Sequence, residues 1–261
     1  DGALQEHSPK FHAMLRHFHG MRHLALVYSE FRTMEGVGLL SACLDVNDYS
    51  RVYVKKVPRG DDVGSTNGSK QKQQYNYRIL ETAPDALNKY MIHDNSDPEA
   101  ANIALNAFNS EFDKLPQLAR DDVRRIISSD RRRSPPQSSS RRNTNGDKNA
   151  FDPGFADANK HGRLAKLLLV TKSGAEGINL KNVREVHIME PFWNSNRIDQ
   201  VVGRAVRAKS HIGLPEDERR VEQYLYMSVF TPAQADERAI KLKDEGKTSD
   251  QHVYAITLQK D

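Results

Sequence analysis

Two short stretches of the sequence carry residue types able to hold and act on an anion. Gln200, Gly203, Arg204 and Arg207 form the pattern Gln-x-x-Gly-Arg-x-x-Arg, and on a helix the two arginines, three positions apart, share one face. Planar guanidinium groups match phosphate oxygens. An arginine aimed at a transferring γ-phosphoryl group contributes about 10³–10⁵ in rate, or roughly 4–7 kcal/mol of barrier. A glutamine on the same helix could place a base or an attacking water. Gly203 in mid-helix costs about 1 kcal/mol relative to alanine, so close packing or binding is expected there. The second stretch, Thr171-Lys172-Ser173-Gly174-Ala175-Glu176-Gly177, directly follows the apolar run Leu167–Val170. Glycines at 174 and 177 permit close backbone approach and positive φ, leaving amide donors free for phosphate oxygens. Each stretch alone also has a plain reading, a tight strand-to-helix connection and a solvated helix face. Together they favour an anion site.

Such residues must be held by a sheet, and the rest of the chain supplies one. Ser8-Pro9 opens a helix that runs to about Gly20 with Phe11, Met14, Leu15 and Phe18 at helical spacing. His23–Ser29 reads as a buried strand, Met34, Val37, Leu40 and Leu44 mark a helix, and Ser50–Val57 alternates as a strand. Pro58–Gln74 has no periodicity and reads as a long surface loop. Lys89–His93 is a weaker strand, followed by a helix with Asp97-Pro98-Glu99 at its start and a stripe of Leu105, Phe108, Phe112 and Leu115. Pro116–His161 is too long for an ordinary connection, and its low-complexity centre reads as disordered. After the strand at Leu167–Val170 come a strand at Val183–Met189, a helix capped near Asn194–Asn196, and a strand at Glu222–Phe230. Thr231-Pro232 and Gln234 then cap a helix through Ala235, Ala239 and Leu242, and Val253–Thr257 reads as an edge strand. The alternation predicts an α/β domain with a mostly parallel central sheet flanked by helices, interrupted by insertions at about 58–82 and 116–161. Open sheets of this kind bind ligands at the carboxyl ends of their strands, where the turn 171–177 stands.

Composition narrows the classes. The chain has 261 residues, 37% of them hydrophobic, and its apolar runs fall far short of the roughly 20 residues that span a membrane, so no membrane partner is expected. The single cysteine, Cys43, excludes an intramolecular disulfide and a multi-cysteine zinc site, and a reducing, intracellular setting is expected. The net charge of +4 is local. Nine basic and four acidic residues lie between Ala119 and Asn149, which leaves the rest close to neutral. The opening Asp1-Gly2-Ala3 lacks an initiator methionine, as expected of a fragment or processed product. His7, His12, His17, His19 and His23 cluster near the start. His19 and His23 have the spacing of a metal pair, but no acid or cysteine shares their face and Gly20 ends the helix between them, so no metal site is read. Gly246-Lys247-Thr248 lacks the earlier glycine of a phosphate-binding loop, that position being Lys241.

Three ordered stretches resemble a known family. VYSEF at Val27–Phe31, TKSGAEGINL at Thr171–Leu180 and QVVGRAVR at Gln200–Arg207 are similar to motifs IV, V and VI of the second RecA-like lobe of superfamily 2 helicases. The linking VREVHIMEPFWNSNRIDQ, the pairing of SPKF with VYSEFRTMEGVGLL, and LPEDERRVEQYLYMSVF look most like SNF2-like helicases and nucleoside triphosphatases of large DNA viruses, the poxvirus and giant-virus group. The resemblance covers most of Ser8–Thr231, apart from the insertions.

It implies that residues 1–261 form the C-terminal, RecA-like lobe of a nucleic-acid-dependent ATPase, a helicase or translocase. By that likeness Arg207 is the arginine finger and Arg204 its catalytic neighbour. Gln200, Gly203, Gly174, Glu176 and Gly177 belong to the nucleotide side, and Ser29, Arg32, Thr171, Lys172 and Ser173 to the nucleic-acid track. The phosphate-loop lysine and acidic magnesium motif of such enzymes are absent from this sequence. ATP with Mg²⁺ is therefore expected to be held mainly by a first RecA-like lobe of the same parent protein. DNA or RNA, and viral transcription machinery, are the other implied partners, and host cytoplasm, nucleus or virion the implied places. The alternative is an inactive helicase-like scaffold in a viral transcription or virion complex.

Overall fold

The computed structural model describes residues 2–33, 36–59, 75–130, 155, 157–236 and 246–260. Its strands are β1 (Leu24–Ser29), β2 (Tyr49–Pro58), β3 (Tyr75–Glu81), β4 (Asn88–His93), β5 (Leu167–Thr171), β6 (Val183–Ile188) and β7 (Glu222–Leu225). They form one seven-stranded sheet in the order β3-β2-β4-β5-β1-β6-β7. Every neighbouring pair is parallel except β2–β3, which is antiparallel. β1 and β5 are buried along their whole length, because each has a strand on both sides and helices on both faces. The expected α/β class, with a mostly parallel central sheet flanked by helices, is borne out.

The helices are α1 (Gly2–His7), α2 (Pro9–Gly20), α3 (Val37–Asp45), α4 (Pro98–Phe108), α5 (Gln117–Asp130), α6 (Lys172–Ala175), α7 (Ser195–Ala205), α8 (Pro232–Asp236) and α9 (Ser249–Leu258). Strand alternation divides the core in two. Leu24, Leu26 and Tyr28 of β1 pack with α4, α5 and α7. Ala25 and Val27 pack with Phe11, Met14, Leu15 and Phe18 of α2 and with Val37, Leu40 and Leu44 of α3. The stripe read from α2 is thus its buried face. Asp97 caps α4 as read, its carboxylate accepting from the backbone N–H groups of Glu99 and Ala100. Ser8 stands at the start of α2, but its hydroxyl makes no cap.

Several boundaries differ from the sequence reading, each for a physical reason. The expected strand at Val253–Thr257 is helical. Thr248 accepts from Gln251 N–H in a capping box that starts α9, and this local cap outweighs the β-branched residues that follow. Gly246, with φ +72°, therefore leads into a helix start. The last strand stops at Leu225 instead of Phe230, at the edge of the sheet, where among the described residues β7 pairs with β6 alone. The first insertion is narrower than 58–82, because β2 runs to Pro58 and β3 starts at Tyr75 in antiparallel register with it. Its centre, 60–74, lies outside the described residues. The second insertion is largely structured where described: α5 packs Ala119, Val123, Ile126 and Ile127 into the core, and Phe155 and Ala158 join them. Its low-complexity centre, together with Met34, Ala239 and Leu242, lies outside the described residues.

α5 is tied to β3 through Asp122. Arg78 donates to it through Nε and Nη2, both at 2.7 Å, and Ile79 N–H donates at 3.0 Å. Burial pushes this carboxyl upward, but the Arg78 and Ile79 hydrogen bonds outweigh burial and hold it below its usual value. A depressed carboxylate contributes stability that is present above its unfolded value of about 3.9 and lost as pH falls through the folded one. Acidification below about pH 4 should therefore cost the wild type more than Asp122→Asn, read as the difference in urea midpoints. Parallel decline of the two proteins would contradict this role.

Candidate functional site

The carboxyl ends of β1 and β5 lie side by side, with Ser29 paired to Thr171. α6 leaves β5 at once, so Lys172 and Ser173 are exposed directly beyond the strand end while Gly174 and Ala175 are buried. Gly174 is required here: a Cβ would stand 2.6 Å from the His93 carbonyl oxygen. Gly177 has φ +77°, which closes the turn. The close approach expected of Gly174 is thus made to the end of β4. Asn95 reinforces the junction, donating through Nδ2 to the Ser173 carbonyl at 2.7 Å.

α7 starts as read, with Asn194 accepting from Asn196 N–H, and buries Val201, Val202 and Ala205. Its other side presents Arg197, Gln200 and Arg204, a stripe at spacings of three and four. The helix ends at Ala205, and its C-cap Val206 takes φ −103° and ψ 61°. Arg207 is therefore not on the helical face with Arg204, which corrects the shared-face expectation. It lies beyond the cap, exposed, and its carbonyl accepts from Ser210 N–H at 3.0 Å and Ser210 Oγ at 2.8 Å. Those bonds fix the backbone and leave the side chain without a partner among the described residues. Nothing lies within 4 Å of a Cβ placed on Gly203, so the close packing expected there is absent among the described residues.

Tyr28, Lys172, Ala175, Glu176, Arg197, Gln200, Val201 and Arg204 line one open cleft between α6 and α7. The structure thus joins the Thr171–Gly177 turn to the arginine helix. Lys172, Glu176, Gln200 and Arg204 make no side-chain hydrogen bond or ion pair with other described residues. Arg197 is engaged: its Nε donates to the Tyr28 hydroxyl and the Glu30 carboxylate, and its guanidinium sits 5.5 Å over the Phe192 ring. Burial and the bond to Glu30 push the Tyr28 hydroxyl well above its usual value, so it stays neutral. Sequence reading missed Tyr28, Glu30 and Arg197 as a wall of this cleft. The available signal was Arg197, one helical turn before Gln200.

Glu30, Arg32, Asn95, Thr171, Lys172, Ser173 and Glu176 line a second, shallower depression. It shares Lys172 and Glu176 with the first, so the turn forms a wall between the two. Arg32 is exposed and pairs with Asp94 at 2.9 Å. Thr171 is buried, its Oγ1 3.2 Å from Ser173 Oγ. Ser29 is buried too. Its hydroxyl donates to Glu190 at 2.9 Å and accepts from Phe31 N–H at 3.1 Å, so it fixes the loop after β1 and does not line the depression. Burial raises the Glu190 carboxyl above its usual value, opposed by the Glu30 N–H and the Ser29 hydroxyl.

Comparison with known proteins falls on these same elements. Residues 153–209 match the model of the helicase conserved C-terminal domain, a span containing both Thr171–Gly177 and Gln200–Arg207. A protein of Acanthamoeba polyphaga mimivirus named as an ATP-dependent RNA helicase is 49% identical over 72 residues, covering 28% of this chain and 16% of that protein. A termination factor NPH-I homologue of African swine fever virus is 42% identical over 106 residues, covering 39% of this chain and 14% of the relative. The matched stretches are thus a small part of each relative. Among solved structures, the C-terminal part of the Fun30 ATPase domain is a loose likeness, with a TM-score of 0.38 at 13% identity, covering 96% of this chain and 53% of that one.

Proposed function

We propose that this chain, which matches the helicase conserved C-terminal domain over residues 153–209, serves as the second RecA-like lobe of a superfamily 2 nucleic-acid-dependent ATPase of the helicase or translocase class. One observation carries the reading: Lys172, Glu176, Gln200 and Arg204 are brought into a single cleft and left without partners among the described residues. Unpaired charge gathered at one place is what an interlobe nucleotide site needs before its second half arrives, because the developing charge on a phosphoryl group must find donors already oriented. ATP with Mg²⁺ is held mainly by a first lobe of the parent protein. Arg204 reaches the phosphates from the cleft and Gln200 places the nucleotide. Gly203 gives the nucleotide room to approach α7, and Glu176 with the glycines of its turn links the cleft to the nucleic-acid track. Arg207, beyond the helix and without a side-chain partner among the described residues, crosses to the γ-phosphate as the finger.

The nucleic-acid backbone lies along the second depression, against Arg32, Lys172 and Ser173, with Thr171 and Ser29 shaping the strand ends beneath. DNA is the favoured substrate, with RNA to be compared in the same assay. Each phosphate contact contributes a slope of about 0.9 to the dependence of log affinity on log salt. Arg32→Ala in the two-lobe protein should therefore flatten that slope by about one and weaken binding uniformly across sequences, as read by titration at several salt concentrations. An unchanged slope would remove the depression from the track.

A further inference from the structure

Three side chains with metal-binding atoms converge where α2 meets β6. Alternation puts Glu185 and His187 on one face of β6, and His17 comes down onto them from the last turn of α2. His187 Nε2 and His17 Nε2 lie 2.9 and 3.3 Å from the same atom, Glu185 Oε2. One ligand atom from each of the three residues falls within 4.8 Å of the others. A tetrahedral zinc ion, with bonds of about 2.0–2.2 Å to nitrogen and oxygen, has ligand-to-ligand edges of about 3.3 Å, close to the two shorter separations. We propose that His17, Glu185 and His187 are the protein ligands of a divalent transition-metal ion of the zinc type, with a fourth position open to water beside the part-exposed His17.

The surroundings support that assignment. Two imidazoles and one carboxylate suit zinc better than magnesium or calcium, which take oxygen ligands. His187 turns Nε2 toward the carboxylate, and its Nδ1 lies 2.9 Å from the Tyr226 hydroxyl, the outer hydrogen bond that fixes the ring of a ligating histidine. The second carboxylate oxygen, Glu185 Oε1, accepts from His23 Nε2 at 2.7 Å, so the carboxylate is oriented from both ends.

His19, which the sequence pairs with His23, belongs elsewhere: its Nδ1 bonds the Leu15 carbonyl at 2.7 Å and its ring packs on Tyr49. The acid missing from the helix face comes from β6 instead. A metal at this point pins α2 to the β6–β7 edge of the sheet, away from the cleft, so the proposal stands independently of the ATPase reading.

The test titrates the 261-residue chain with Zn²⁺ against a chromophoric chelator and, separately, with Co²⁺ followed by visible absorption. One equivalent of Zn²⁺ should bind, and Co²⁺ should give the d–d bands of a four-coordinate site. His17→Gln should weaken binding at least about tenfold with an unchanged circular dichroism spectrum. The triple variant His7→Gln, His12→Gln, His19→Gln should bind as wild type. The proposal is overturned if the wild type binds no equivalent or Co²⁺ gives no such bands, which would leave a metal-free hydrogen-bonded cluster. It is equally overturned if His17→Gln binds undiminished, or if the triple variant loses binding.

Discussion

Replacing Arg207 by alanine in the two-lobe protein is expected to lower nucleic-acid-stimulated ATP turnover by about 10³-fold or more, chiefly in kcat. The side chain stands beyond the C-cap of α7, exposed, with no partner among the described residues, while Ser210 fixes its backbone. On the proposed reading, an arginine so placed is immobilised only when the first lobe brings a phosphoryl group to it. Its contribution then falls in the transition state, which is the condition for a loss in kcat without a matching change in nucleotide affinity. Arg207→Lys should recover little, because a compact ammonium cannot reproduce the planar fork. Arg204→Ala, in the cleft wall, should raise the KM for ATP as well. Turnover by Arg207→Ala within a fewfold of wild type would remove Arg207 from the reaction and leave Arg204 as the arginine to examine.

The largest expected loss of stability follows Asn159→Ala. Asn159 is completely buried. Its Nδ2 donates to the Phe108 carbonyl at 2.8 Å, and its Oδ1 accepts from both Leu164 N–H and Ala165 N–H at 2.9 Å. One side chain thereby joins the end of α4 to the segment that leads into β5. Truncation leaves a carbonyl and two amides unpaired in a dry site, at about 1–3 kcal/mol each, so the variant should lose about 3–5 kcal/mol after partial relaxation. That is a large share of the roughly 5–15 kcal/mol that holds a typical domain together. Urea unfolding measures it directly, and a shift worth less than about 1 kcal/mol would mean that these groups find other partners.

Asn159 also marks where the sequence was legible and where it was not. Elements with strong local signals were readable: Asp97-Pro98-Glu99 announces α4, the stripe of Phe11, Met14, Leu15 and Phe18 announces α2, and the unbroken apolar run of β5 announces a central strand. Elements held by distant partners were not. α5 and Asn159 sit beside low-complexity sequence, and only contacts with β3, α4 and β5 reveal that they are core. α9 shows the converse, a capping box at Thr248 and Gln251 overriding a strand-like run.

The candidate site was legible as two halves, the turn and the arginine helix, because each carries its chemistry within a few residues. Their meeting across Tyr28 and Arg197, and the position of Arg207 past the helix end, depend on how β1, β5 and α7 are placed. The Glu185 beneath His17 was hidden for the same reason, since the two residues are far apart in sequence and adjacent only through the sheet.

ATP hydrolysis by this chain alone is to be compared with hydrolysis by the chain joined to the first RecA-like lobe proposed for its parent protein, each with and without nucleic acid. Background turnover is expected for the chain alone and nucleic-acid-stimulated turnover for the joined protein, abolished by Arg207→Ala together with Arg204→Ala. Turnover by the chain alone, or a joined protein that hydrolyses no ATP with nucleic acid present, would contradict this, the latter outcome pointing to a helicase-like scaffold.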